Sequence, residues 1–505
     1  MKLKLRQIIS IVFIILLCIQ CRKSEEKESN ESAKTSGTAK FDPAMEPLAG
    51  QPSFDARPSA EDLEYQVKYQ RAFETVLWAL PAVDIYRFRA AAIEDLGYKD
   101  NDIIAYSKVA TPKLEAITAN SSTPYITAFS DLSKGPTVLE IPAAGAEGSL
   151  YGQVVDHWQL SIADIGPSGL DKGKASKYLF TAPDYKGKVP AGYIHVASPS
   201  YRIAFAFRSV RAAGKSVEDA YAYAKKLRMY RLSEASNPHV QKFIDPSNQR
   251  YATLPFFSDK FFDDVQAIFS LENAYPKDKV MIGMLASLGI KHGKREFSPD
   301  EKTKKAMNQG AVDAYFYLQH LWDNYPKSWL YWPDRHYASL MQADKNKSFS
   351  YEYDNNIDIE ARALQYFQCT YVPKVLSDHP ATQYIMAMND SNGDLFSAGK
   401  NYKVTLPAKM PVKQFWALTV YDKATYSFIY SKSGRTTLST YDVPNMQKNS
   451  DGSVTIYVGP DAPKGLESNW IPTSRKRPMP MLRLYGPTDD FNNKTFKIPD
   501  FEKIN

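Results

Sequence analysis

Between Ile103 and Val210 no apolar run lasts long before a turn-forming residue breaks it, and this punctuation limits the fold more than any other feature. "DIIAYSKVA", "PYITAFSDL", "PTVLEIPA", "YGQVVDHWQL", "SKYLFTAP", "GYIHVAS" and "RIAFAFRSV" follow one another with Gly, Pro, Asn and Asp between them. Short runs at this spacing predict a β-sandwich. The 33 tyrosines and 32 prolines of the chain favour strands and turns in the same way.

The texture changes twice more. "PSAEDLEYQVKYQRAFETVLWALP" places Leu63, Phe73, Val76, Leu77 and Leu80 at helical intervals, with Ser59 and Asp62 at capping-box spacing and Pro81 as a predicted end or kink. After Gly214, Ser216 stands at cap spacing to Asp219. Further on, Ser298, Pro299 and Glu301 predict a helix start as cap, first helical residue and closing acid. The aromatic stripe Tyr315, Phe316 and Trp322 reads as a packing face. From Leu364 β signals return in "QYIMAMNDSNGDLF", "YKVTLP", "QFWALTVYD", "SFIYSK", "SVTIYVGP" and "MLRLYGP", with hairpin dipeptides Asn392-Gly393 and Asp451-Gly452. The expected class is α+β, mainly β: a sandwich domain over 59–213, a helical module over 214–363 and a second sandwich over 364–505.

The first residues concern destination rather than fold. Lys2, Lys4 and Arg6 precede an apolar run from Ile8 to Ile19, too short to span a bilayer and right for a signal peptide over 1–20. Polarity switches at Cys21, which resembles a bacterial lipoprotein's modification site, although Gln20 is large for the preceding position and Cys18 competes. Residues 21–58 are too polar and Pro-punctuated to offset their ordering entropy, and read as a disordered tether. The expected location is the cell envelope, with the membrane reached through a lipid anchor. Loss of residues 1–20 lowers the net charge from +7 to +4, which gives no reason to expect nucleic acid as a partner. Cys369 is then the one cysteine of the folded part, so an internal disulfide is excluded and a buried, inert thiol is expected.

Two blocks of residues carry a resemblance. The first comprises "GPTVLEIP" (Gly135–Pro142), "GQVVDHWQ" (Gly152–Gln159), "DIGPSGLDKGKASKYLF" (Asp164–Phe180) and "PDYKGKVPAGY" (Pro183–Tyr193). The second comprises "PVKQFWALTVYDKATYSFI" (Pro411–Ile429), "NSDGSVTIYVGPDAPKGLESNWIPT" (Asn449–Thr473) and "LRLYGP" (Leu482–Pro487). Together they resemble the bacterial two-domain family of unknown function, domains 1254 and 1214, over nearly all of residues 60–505. Tyr430–Lys448 keeps little of that pattern. The resemblance implies an immunoglobulin-like N-terminal sandwich, a helical middle piece and a C-terminal jelly roll. It implies no reaction.

Familiar catalytic signatures are missing. "GPSGL" (Gly166–Leu170) has the wrong spacing for a nucleophile elbow, and His157, His195, His239, His292, His320, His336 and His379 are scattered. "DSNGD" (Asp390–Asp394) lacks the calcium-loop spacing and reads as a hairpin turn. No metal and no nucleotide cofactor is expected. Three polar-aromatic clusters remain. "NSSTPY" offers Asn120 and Tyr125. Strand alternation in "VVDHWQ" would set Asp156 and Trp158 on one face, where a buried carboxylate calls for a ligand or an arginine such as Arg202 or Arg208. The loop Gly459–Thr473 holds Glu467, Asn469 and Trp470 ahead of Arg483; it reads first as a cap on the second sandwich, and it is also the best loop candidate for a pocket.

The expected function is binding or turnover of a small, partly apolar or sugar-like ligand at the domain junction. Asp156 would serve as base or acceptor, Arg483 as a clamp on an anion or carbonyl, and Trp158 and Trp470 as walls. The alternative is a surface-exposed interaction or adhesion lipoprotein without catalysis. An unpaired sandwich edge would allow homo-oligomers.

Overall fold

The computed structural model describes residues 58–212, 214–378 and 380–504. The export segment with Cys18 and Cys21, the tether up to residue 57, and His379 lie outside the described residues.

Each of the seven N-terminal runs contains a strand, and Leu114–Glu115 and Ser161–Ile165 add two that the sequence pattern did not predict. A six-stranded sheet runs in the order Phe243–Ile244, Ile103–Ala105, Tyr125–Asp131, Arg202–Val210, Ser149–Val155, Ser161–Ile165. A four-stranded sheet runs Arg228–Arg231, Thr137–Ile141, Ser176–Thr181, Ile194–Ala197. Ile126, Val154, Phe205 and Phe207 of the first meet Leu139, Tyr178, Phe180 and Met229 of the second in one apolar core, which makes the pair a sandwich. Two of its strands lie beyond residue 213.

The C-terminal region repeats the arrangement. A five-stranded sheet (Tyr337–Ser339, Thr382–Ala387, Pro478–Pro487, Val412–Asp422, Thr437–Ser439) covers a four-stranded one (Trp470–Pro472, Val454–Gly459, Asn401–Leu406, Glu502–Ile504). Ile385, Leu418, Leu482 and Leu484 pack there against Val404, Ile456 and Val458. "SFIYSK" forms no strand: only Phe428 makes an isolated bridge, to Tyr421, and the edge strand is Thr437–Ser439.

The largest core lies outside both sandwiches. Met386, Tyr421, Met479 and Met481 from the outer face of the five-stranded sheet, and Phe129, Val155 and Ala204 from the six-stranded one, pack with the helices Ala60–Leu96, Lys260–Phe269 and Glu301–Asp323. The strand Pro478–Pro487 is therefore buried on both faces, and its alternate residues Met479, Met481 and Arg483 point away from the sandwich core.

Helix Ala60–Leu96 starts where expected, with Asp62 N–H donating to Ser59 Oγ, but it does not end at Pro81. Every residue from Thr75 to Ile85 is buried, so packing on all sides holds the helix through the proline. The Pro81 carbonyl accepts from Gln159 Nε2 at 2.9 Å. Ser216 and Asp219 form the expected capping box. Helix Glu301–Asp323 begins two residues later than expected: Asp300, not Ser298, is its cap, accepting from Thr303 N–H. Among the described residues no helix is long and apolar enough to cross a membrane.

Candidate functional site

The six-stranded sheet of one sandwich and the five-stranded sheet of the other leave a cavity of about 590 Å³ where their outer faces approach. Strand register explains its polar lining. Arg208 pairs with Tyr125 on one side and Tyr151 on the other, so the three share one face. Across the cavity Arg483 pairs with Tyr384 and Ala417. The small residues Gly152 and Ala206 line the space beside Arg208. A Cβ on Gly152 would come within 2.0 Å of the Ala206 carbonyl oxygen, so glycine is required for the strands to sit this close. Phe88, Leu114, Ile117, Tyr251, Leu340 and Met341 form the apolar wall. Tyr151 (37% exposed) and Val375 (56%) stand at the mouth.

Both arginines are held by neutral oxygens. Arg483 is buried; its Nη1 donates to Thr419 Oγ1 at 3.0 Å, and its Nη2 donates to the Thr118 carbonyl at 2.9 Å and Tyr421 Oη at 2.5 Å. Arg208 Nη1 donates to Tyr384 Oη at 2.6 Å. The two guanidinium carbons lie 5.9 Å (Arg208) and 5.5 Å (Arg483) from the centroid of the same ring, that of Tyr384. Burial pushes the Tyr125 hydroxyl above its ordinary range. It also pushes the Cys369 thiol, which lines the same cavity, up to about 12, so the sulfur stays protonated and a poor nucleophile. Asp164 stands in the lining too, its carboxyl raised by burial, with the backbone N–H and charge of Lys374 pulling the other way.

The residues singled out from sequence separate into groups. Tyr125 and Arg483 line the cavity, and Asn120 stands directly behind it: its N–H donates to Tyr125 Oη at 2.5 Å and its Nδ2 to Tyr485 Oη at 2.6 Å. Asp156 and Trp158 do not share a strand face. The strand Ser149–Val155 ends before them, and 156–159 is a turn closed by Gln159 N–H on the Asp156 carbonyl. Asp156 has no arginine partner. Its Oδ1 accepts from the N–H groups of Trp158 and Leu160, both at 2.9 Å, while Arg202 donates to the Ala267 carbonyl and Arg208 to Tyr384. Burial raises the Asp156 carboxyl to about 7. Trp158 is a core residue, edge-on to Trp78 and beneath Arg362.

The loop Gly459–Thr473 is a plug. Asn469 is buried and bonds Gln447 N–H, the Gln447 carbonyl and the Thr455 carbonyl. Trp470 Nε1 donates to the Gly459 carbonyl, and Arg435 ties down the carbonyls of Glu467 and Trp470. The Glu467 carboxylate is exposed and accepts from Gly465 N–H. None of the three lines the junction cavity.

Sequence reasoning missed Tyr384, Tyr151 and Cys369 as cavity residues, and took Arg208 only as a partner for Asp156. A signal existed in "RIAFAFRSV": alternation sets Arg202, Ala204, Ala206 and Arg208 on one face, small residues beside a charge.

A second cavity of about 390 Å³ lies between helix Ala60–Leu96 and helix Glu301–Asp323, lined by Leu80, Phe257, Tyr315, Phe367 and the buried Asp84. Asp84 Oδ2 accepts from Gln159 Nε2 at 3.3 Å, Oδ1 has no partner, and burial raises this carboxyl far above its ordinary range. Among the described residues no group of three or more His, Cys, Asp or Glu side chains is placed to hold a metal ion.

Comparison with known families gives two matches. Residues 101–231 match a protein of unknown function, DUF1254, and residues 381–489 match a second, DUF1214. Comparison with curated proteins finds no match. Among solved structures the chain is similar to the VPA0106 protein of Vibrio parahaemolyticus, at 18% identity and TM-score 0.48, over 87% of this chain and all of that one. It is also similar to an uncharacterized protein of Burkholderia cenocepacia, at 10% identity and TM-score 0.37, over 88% of this chain and 96% of that one.

Proposed function

The chain belongs to the two-domain family of unknown function built from DUF1254 and DUF1214, and from that premise we propose that it is an exported, lipid-anchored envelope protein that binds a small, partly apolar molecule between its two sandwiches. The reading takes the sandwiches as immunoglobulin-like and jelly-roll in type. The observation that carries it is the junction cavity: about 590 Å³, within the roughly 300–1,000 Å³ of small-molecule sites, with apolar walls and a few convergent polar groups. The largely aromatic and aliphatic wall favours a partly apolar ligand over a sugar-like one. Binding is favoured over turnover, because Cys369 is held as a protonated thiol and Asp156 does not line the cavity. Signal-peptide character and the polarity switch at Cys21 support export and anchoring.

Native mass spectrometry of the full chain, released gently from cells, tests this. A co-purified small molecule is expected on the natural protein and is expected to be lost from Ala206→Trp, which fills the cavity from a half-buried lining position. A bare protein mass that no small molecule shifts would overturn the proposal. Removal of the chain by protease from intact cells would then favour a surface-interaction role.

A further inference from the structure

We propose that the molecule held in the junction cavity carries an oxyanion, a carboxylate or phosphate, on an apolar body, and that Arg208 and Arg483 select it. This rests on the reading that the cavity binds a small molecule. A guanidinium is ionised at any accessible pH, and neutral acceptors satisfy its N–H groups without cancelling its charge. A buried charge persists only where a counter-charge or compensating dipoles surround it.

At three other arginines the counter-charge is in direct contact, and buried Arg362, which bonds the Trp78 carbonyl, still feels the carboxylates of Asp278 and Glu352. Arg87 lies 3.6 Å from Asp264 and 3.2 Å from Glu94, Arg231 pairs with Asp100, and Arg477 reaches Asp323 at 2.8 Å. At the junction it is missing. Among the described residues no carboxylate lies within 4.0 Å of half-buried Arg208 or buried Arg483; the hydroxyls of Tyr125, Tyr384 and Tyr485 act on both, and that of Tyr421 on Arg483. Cys369 feels both cations as well, which places the thiol and the two arginines around one space. Arg208 spends a single hydrogen bond, to Tyr384, and its other donors meet no acceptor among the described residues. Asp164 contributes the one carboxylate of the lining, and Lys374 offsets it.

An oxyanion seated here would accept from the free donors of Arg208 and sit in the field of Arg483, while its tail lay along Phe88, Ile117 and Leu340. The cavity of about 390 Å³ beside Asp84 offers an oxyanion a carboxyl instead of a cation, and two further buried polar clusters offer no room. The space beside His157, Arg202 and Glu272 is about 20 Å³, and Lys423 is already closed by Asp323, Gln319 and Tyr426.

Isothermal titration of the full chain with matched ten-carbon probes (decanoate, decyl phosphate, decanol and decylamine), together with phenylbutyrate and phenylbutanol, is the test. At least one of the acids is expected to bind about tenfold or more tighter than its alcohol. The better of decanoate and decyl phosphate names the head group. Arg208→Gln should weaken the acid about tenfold and the alcohol much less, and Tyr384→Phe, which keeps both charges, should narrow the acid-over-alcohol preference less than Arg208→Gln does. Circular dichroism of the two variants shows whether each is folded, and Arg208→Gln breaks only one bond within the protein. If an alcohol or decylamine binds as tightly as the acid, the anion inference falls while the cavity remains a small-molecule site. Probes that bind equally to natural protein and Ala206→Trp, or no binding by any probe, would overturn both.

Discussion

Asp84 is a carboxyl with one oxygen on Gln159, and among the described residues its other oxygen has no partner and no cation offsets its burial. Folding holds it protonated, whereas in the unfolded chain it ionises near pH 4. Its contribution is therefore complete below pH 4 and is lost as pH rises towards the raised folded value. Asp156 and Glu272, each raised by burial to about 7, act in the same direction between pH 4 and 7. His157, lowered by burial to about 3, opposes them: it adds stability above pH 6.5 that is lost as pH falls. With Asp264, also raised by burial to about 7, four carboxyls against one imidazole leave the protein more stable at pH 5 than at pH 8, a difference that thermal melts across that range would register. Asp84→Asn is expected to raise the melting temperature at pH 8, with the gain vanishing by pH 4. Asp156 itself gives a different expectation. Asn can still accept from Trp158 and Leu160, so Asp156→Asn should be mild, while Asp156→Ala strands the buried Trp158 N–H and the part-buried Leu160 N–H and should cost about 1–3 kcal/mol in urea denaturation.

At the scale of elements, close approach decides what a substitution does. Gly310 lies inside helix Glu301–Asp323 where it crosses helix Ala60–Leu96, and a Cβ there would come within 2.8 Å of Ala72 Cβ and Phe73 N. Alanine is the better helix former, yet Gly310→Ala must push the two helices apart, and a net loss of about 1–3 kcal/mol in chemical denaturation is expected. The same contrast between local signal and tertiary demand explains what could be read from sequence. Short β-runs bounded by turn residues were legible because alternation and punctuation are local. Pro81 was misleading because the force that carries the helix past it, burial on every side, comes from partners far along the chain. "VVDHWQ" failed likewise: its alternation looked like a strand, but Asp156 turns the chain by accepting two N–H groups of the residues that follow. The cavity was half legible. Tyr125 and Arg483 stood out as polar residues in apolar runs, while pairing across sheets, which brings Arg208 and Tyr384 to them, leaves no mark in either run alone.

At the scale of the whole molecule, the two sandwiches share more than a hinge. Arg483 on the C-terminal strand Pro478–Pro487 donates to the Thr118 carbonyl, Tyr421 donates to the Ala119 carbonyl, and Thr118 N–H donates to the Tyr426 carbonyl at 2.6 Å. Met386, Tyr421, Tyr426, Met479 and Met481 then bury the outer face of the C-terminal sheet in the core that the helices build. A large apolar interface of this kind couples regions that would otherwise move independently. Denaturation of the full chain followed by far-ultraviolet circular dichroism and by tryptophan fluorescence should therefore give one coincident transition. Residues 330–505, which keep the edge strand Tyr337–Ser339 and the core residues Tyr331 and Trp332, would expose much of that face when expressed alone, and are expected to bind a hydrophobic dye and to aggregate. A well-folded, monomeric fragment would show instead that the C-terminal sandwich is self-sufficient. The junction cavity would then lie between separable bodies, and ligand affinity would depend on how often they close.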